Sequence, residues 1–231
     1  MRCSMRSFAS VGFALCVATL PLASQETRAP RFQSDINAFL KADSSSRPPA
    51  GEIELVGSSI FRLWKSVATD MAPMPVFNRA FGGSQTPDVL RYMDQIVIAY
   101  KPRIVVFYCG SNDVNAGAPA SEIIARIEEF HHRLIAALPA TKMIFVSVIH
   151  APDKRNRWSA VDSVNLAMRL YSAESKQFEY VDVNPALEGP LGAPVSELYL
   201  PDSLHYRTDR DAYVRMTRVL KPVLLAAWTA K

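Results

Sequence analysis

The stretch Ile53-Glu54-Leu55-Val56-Gly57-Ser58-Ser59-Ile60-Phe61-Arg62-Leu63-Trp64 changes periodicity partway along its length. Ile53 to Val56 read as a short buried strand, whereas Phe61 to Trp64 have helical spacing. Gly57-Ser58-Ser59 is the turn between them. A serine at a strand-to-helix turn is held at the carboxyl edge of a sheet, with its own backbone N–H at a helix N-terminus. A nucleophile and the first donor of an oxyanion hole can share such a residue. Serine turns of this kind are also ordinary helix caps, so the reading needs support from elsewhere in the chain.

Further apolar runs lie at 75–78, 103–109, 142–149 and 180–183, and helical patterns lie between them. The run Arg103-Ile104-Val105-Val106-Phe107-Tyr108 and the run from Met143 to Ile149 are almost continuously apolar. Continuous rather than alternating hydrophobicity marks strands buried on both faces, as in a parallel sheet between helix layers. The helical patterns cover 87–100, 121–138, 159–171 and 209–228. Strand and helix in alternation predict a three-layer α/β/α sandwich. Sites in such folds lie at the carboxyl ends of strands.

The 231 residues suit one domain with extensions. Apolar residues make up 49% and charged residues 21%, which fits a globular chain with a large core. Arg2 and Arg6 precede an apolar stretch from Phe8 to Ala23, the pattern of a secretory signal peptide. The expected organisation is a signal peptide over 1–24, an extension and linker over 25–50, and the main domain over 51–231. The expected destination is secreted or periplasmic, with no stable membrane insertion after cleavage.

Without Arg2 and Arg6, the 26 basic residues become 24 against 22 acidic ones, a charge of about +2. No basic face with interleaved aromatics accompanies it, so nucleic acid is not an expected partner. Cys109 would be the one cysteine left after cleavage, and its apolar neighbours mark it as a small buried hydrophobe.

The strand ends carry the chemistry. Arg79-Ala80-Phe81-Gly82-Gly83-Ser84 follows the second run, Gly110-Ser111-Asn112-Asp113 the third, and His150 the fourth. Pro201-Asp202-Ser203-Leu204-His205 lies well beyond the fifth. Acyl transfer needs a nucleophile, a base, a group that orients the base, and donors aimed at the oxyanion. Ser59 can attack, and Asp202 is close enough in sequence to orient His205. Gly83 can offer an unobstructed N–H, and Asn112 its side-chain NH₂. No spacing of His, Cys, Asp and Glu points to a metal. Asp113 reads as a brace for the Asn112 loop, and His131-His132 as a solvated helix face. His150 is a candidate for the pocket wall.

Together Gly57-Ser58-Ser59, Asn78…Gly82-Gly83, Gly110-Ser111-Asn112-Asp113 and Asp202-Ser203-Leu204-His205 resemble the four blocks of the SGNH hydrolases, or GDSL-type esterases and lipases. They occur in the family's order, from about Ile53 to the carboxyl end. Ser58 stands where the family has its eponymous aspartate, and Ala80 where relatives often have glycine.

The resemblance implies a flavodoxin-like fold with a five-stranded parallel sheet. It implies Ser59 as nucleophile, His205 as base with Asp202 its partner, and an oxyanion hole of Ser59 N–H, Gly83 N–H and the Asn112 side chain. The implied activity is hydrolysis of carboxylic esters through an acyl-enzyme, without a cofactor. The substrate would be a small ester or an acylated glycan or lipid. Two other readings share these residues: an acyltransferase using an alcohol acceptor, and a binding module with a dead site.

Overall fold

The computed structural model describes residues 30–208 and 211–230. From Arg31 onward the chain forms one compact unit. The segment read as a signal peptide lies outside the described residues.

The elements, in order, are α1 (Gln33–Asp43), β1 (Ile53–Gly57), α2 (Ser59–Leu63), α3 (Val67–Asp70), β2 (Val76–Asn78), α4 (Thr86–Ile96), β3 (Ile104–Tyr108) and α5 (Ser111–Ala116). They continue with α6 (Ala120–Ala137), β4 (Lys142–Val146), α7 (Trp158–Glu174), β5 (Phe178–Val181), α8 (Asn184–Leu187) and α9 (Ala212–Thr229). The five strands make one sheet in the order β2-β1-β3-β4-β5, with every pairing parallel. This is the flavodoxin-like order, as the motif resemblance implies.

Alternation along each strand sends side chains to two cores. Ile53, Leu55, Val106, Ile144 and Val146 face one side and meet Met216, Leu220 and Leu224 of α9. Val56, Val105, Phe107, Met143 and Phe145 face the other, against α4, α6 and α7. Full burial of one such side chain contributes about 1.5–3 kcal/mol, so both faces of the sheet are strongly held. Central strands β1 and β3 are buried along their whole length, which is why their sequences are continuous rather than alternating. Cys109 is a free, buried thiol, as its neighbours predict.

The main domain begins earlier than the expected Gly51. Ile36 of α1 is fully buried in the second core. At the end of α1, Asp43 forms a largely buried ion pair with Arg79 and accepts a hydrogen bond from the Tyr100 hydroxyl. Arg79 also lies over the rings of Phe39, Phe77 and Tyr100. This cluster sits beside Glu54, whose carboxyl has no hydrogen-bond partner. Burial pushes its pKa well up, against the opposing pull of Arg79. The helix therefore belongs to the domain rather than to a linker.

Among the described residues, no helix is long and apolar enough to cross a membrane.

Candidate active site

The carboxyl end of β1 turns sharply at Gly57, where φ is +136°. The Ser58 N–H then donates to the Tyr108 carbonyl at 3.0 Å, so the chain leaves the sheet still tied to β3. Ser58 is extended and caps α2 from outside, its carbonyl accepting from Phe61 and Arg62 N–H groups at 3.1 and 3.0 Å. Ser59 is thus the first helical residue, and its N–H has no partner within the helix. Ser58 is 1% exposed and Ser59 7%. Asn78 at the end of β2 steadies the turn from below. Its side chain donates to the Phe61 carbonyl at 2.7 Å and accepts from Ala80 N–H at 2.9 Å.

Three residues from distant parts of the chain meet over this turn. The Ser59 hydroxyl lies 2.8 Å from His205 Nε2, and His205 Nδ1 lies 2.7 Å from an Asp202 carboxylate oxygen. The other Asp202 oxygen accepts from the backbone N–H groups of Leu204 and His205 at 3.0 and 2.9 Å. Ser203 between them takes a left-handed φ of +58°, which wraps the loop around that carboxylate. Partial burial alone would raise the Asp202 pKa. The hydrogen bonds from the His205 ring and from the two backbone N–H groups outweigh it and hold the carboxyl at about 2.

That shift carries a stability consequence. A carboxyl below its unfolded value of about 3.9 adds stability above about pH 4 and loses it as pH falls toward 2. Asp202 is 47% exposed, so water screens the effect and it is small. Asp202→Asn is expected to melt slightly below the wild type at neutral pH, with the gap closing in acid. A gap that widens toward pH 2 would contradict the assignment.

Ser59, Gly82, Gly83, Asn112 and His205 line a cavity of about 280 Å³, together with Asp35 and Arg62. Gly83 has a φ of +80°, a conformation that favours glycine. The Asn112 amide donates one hydrogen to the Ser84 carbonyl at 2.9 Å, which fixes the side chain and leaves its second N–H to spare. Asp113 braces this corner, accepting from the Thr86 N–H at 3.0 Å and the Thr86 hydroxyl at 2.6 Å. All five residues expected to carry chemistry are therefore close to one another, at the carboxyl edge of the sheet. The arrangement can move a proton from a serine hydroxyl to an imidazole beside donors for a developing oxyanion.

Other expectations need revision. His131 is not on a solvated face: it is 1% exposed, its ring bonded to the Tyr171 hydroxyl at 2.7 Å. Burial, with help from His132, lowers its pKa to about 4. His132 is the exposed member of the pair. His150 lines a second cavity instead, bonded to Glu188 and Asp162 at 2.9 and 2.7 Å. Trp64 is buried and donates to Asp70 at 2.6 Å.

Asp35 is the site residue that a motif search misses. Its signal was present: it lies three residues after Phe32 and four before Phe39, a carboxylate on the apolar face of α1.

Residues 56–209, which hold Ser59, Gly83, Asn112, Asp202 and His205, match the family described as GDSL-like Lipase/Acylhydrolase. Among solved structures, the chain is similar to a GDSL-like lipase from Bacteroides thetaiotaomicron, at 19% identity and a TM-score of 0.70, covering 83% of this chain and 98% of that one. It is also similar to a carbohydrate esterase family 3 protein from Talaromyces cellulolyticus, at 18% identity and a TM-score of 0.63. Coverage there is 77% of this chain and 98% of the other. A mutant of an acetyl-xylooligosaccharide esterase from Geobacillus Stearmophilus gives 16% identity and a TM-score of 0.61, over 79% and 96% of the two chains. At these identities the likeness is one of fold. No curated protein sequence matches the chain. With its fold, its motifs and the greater part of its length in agreement, the chain belongs to the GDSL-like lipase/acylhydrolase family.

Proposed function

We propose that the protein is a serine esterase that removes short acyl groups from carboxylic esters through an acyl-enzyme on Ser59. The observation that carries this reading is the continuous hydrogen-bonded line from Asp202 through His205 to Ser59, with steps of 2.7 and 2.8 Å. It ends at a cavity that Gly83 and Asn112 also line.

His205 Nε2 takes the Ser59 proton as the hydroxyl oxygen attacks the ester carbonyl. The carbonyl π electrons move onto oxygen, and the N–H groups of Ser59 and Gly83 and the Asn112 amide stabilise that charge. The C–O bond to the alcohol then breaks, and His205 gives its proton to the leaving oxygen. Water, deprotonated by the same histidine, attacks the acyl-enzyme and releases the acid and the free serine. Asp202 holds the imidazole by Nδ1 throughout and balances its positive charge. The cycle needs no cofactor.

Short acyl groups are favoured by the cavity itself. Among the described residues, no Leu, Ile, Val, Met or Phe side chain lines it, so a long chain would find only limited hydrocarbon surface to bury against. Similarity to the carbohydrate esterase and acetyl-xylooligosaccharide esterase structures supports the same direction. Arg2, Arg6 and the apolar stretch after them support export of the chain.

With p-nitrophenyl esters from acetate to octanoate, kcat/KM is expected to peak at acetate or propionate and fall with length. A rise toward octanoate would contradict the short-acyl reading, and no hydrolysis at all would overturn the esterase.

Asn112→Ala is expected to fold normally and to lose about 10²–10³ in kcat, the usual effect of removing one oxyanion donor. Wild-type turnover in the folded variant would remove Asn112 from the site.

A further inference from the structure

The family-matched residues begin at Val56, yet one wall of the cavity comes from before them. We propose that α1 is a substrate-binding element, and that Asp35, with Arg62 from α2, grips the hydroxyl groups of a sugar-like leaving group. The inference rests on the esterase reading and names the alcohol side of its substrate.

First, α1 is fixed against the site. Its far end is held by the Asp43–Arg79 pair and the Tyr100 hydroxyl, and its middle by Ile36 in the core. At its near end, the Tyr92 hydroxyl donates to the Arg31 carbonyl at 2.6 Å, and Phe32 packs edge-on against Phe81 with ring centres 5.0 Å apart. The Arg31 guanidinium donates to the Gly83 carbonyl at 3.0 Å. The residues leading into the helix thus touch the loop of Gly83 itself, and Asp35 is presented from a rigid element.

Second, the charges on the cavity wall are unspent. Neither Asp35 nor Arg62 has a hydrogen-bond or ion-pair partner among the described residues. Setting aside the groups assigned to chemistry, they and Gly82 complete the lining. Arg62 stays over Gly82 because that residue has no side chain: a Cβ there would come within 2.5 Å of the Arg62 Nε.

Third, the chemistry of this wall fits one class of ligand. A carboxylate accepts hydrogen bonds from neighbouring hydroxyls, and a guanidinium donates to hydroxyl and ring oxygens. Arg62 is exposed and Asp35 half-buried, so a lipid alcohol would gain nothing from either group, both staying with water. A polyhydroxylated alcohol answers both.

The test compares two acetate esters of similar size: methyl 6-O-acetylglucopyranoside, with free hydroxyls, and cyclohexylmethyl acetate, with none. The wild type is expected to prefer the sugar ester by about tenfold or more in kcat/KM, the effect of one or two charge-assisted hydrogen bonds. Asp35→Ala should lower that preference by about tenfold, chiefly through KM for the sugar ester. Asp35→Asn, which still offers an acceptor oxygen, should lower it less. A damaged fold would lower both rates together and leave their ratio alone, so the ratio reads recognition and not stability. Equal kcat/KM for the two esters in the wild type, or an unchanged ratio in Asp35→Ala, would overturn the inference while leaving the esterase intact. Failure to hydrolyse these esters and p-nitrophenyl acetate alike would overturn both.

Discussion

Ser59→Ala is expected to abolish ester hydrolysis while leaving the fold intact. The side chain is small and its one hydrogen bond among the described residues is to the His205 ring at 2.8 Å, so truncation costs little packing. It does remove the atom on which the acyl group would be carried. Loss of a nucleophilic serine costs on the order of 10⁶ in kcat in a well-studied triad, which places the variant near the assay background. Ser58→Ala is the matching control. Ser58 is buried and its hydroxyl makes no capping bond to α2, so its loss should cost at most about tenfold. A dead Ser58→Ala beside an active Ser59→Ala would reverse the assignment.

Gly57→Ala has the second large effect, and it acts on the fold. A Cβ on Gly57 would lie 1.8 Å from the Tyr108 carbonyl oxygen and 2.6 Å from its carbon, with φ at +136°. Both obstacles are backbone, and neither can move freely. Tyr108 belongs to the central strand β3, and the Gly57 carbonyl accepts from the Phe81 N–H at 2.9 Å and the Ser84 hydroxyl at 3.0 Å. Relief would have to part β1 from β3 where the Gly57-Ser58-Ser59 turn is joined to the loop of Phe81 and Ser84. A cost on the order of 4–5 kcal/mol is expected for such a site, against a typical total of about 5–15 kcal/mol. Soluble yield and the urea midpoint should both fall sharply. An unchanged midpoint would show that the turn is less constrained than its contacts imply.

The turn that holds these two residues was legible in the sequence because strand, turn and helix start occupy consecutive positions. The buried strands β1 and β3 were legible for a related reason: burial on both faces leaves a continuous apolar run. Edge strand β5 was harder. Its middle residues, Glu179 and Tyr180, are only half-buried, so the run appeared to lie at 180–183 where the strand is Phe178–Val181. The short helices α3, α5 and α8, of four to six residues each, were not predicted.

His131 shows how a pair misleads. Adjacent helical residues point about 100° apart, so one of two histidines can face the core. The spacing Ile127, His131, Leu134 marked which one, and all three are buried. The contribution of α1 was hidden differently. Phe32, Ile36 and Phe39 fall at helical spacing, but the docking of the helix depends on Asp43, Arg79 and Tyr100 meeting from distant parts of the chain. No local pattern announces such a meeting.

The central claim is that Ser59 becomes covalently acylated. Its most direct test is to treat the wild-type protein with a fluorophosphonate, digest it, and locate the adduct by mass spectrometry. The account predicts one adduct per chain, on Ser59, and none in Ser59→Ala. An adduct on Ser58, or no adduct on a protein that still hydrolyses esters, would contradict it.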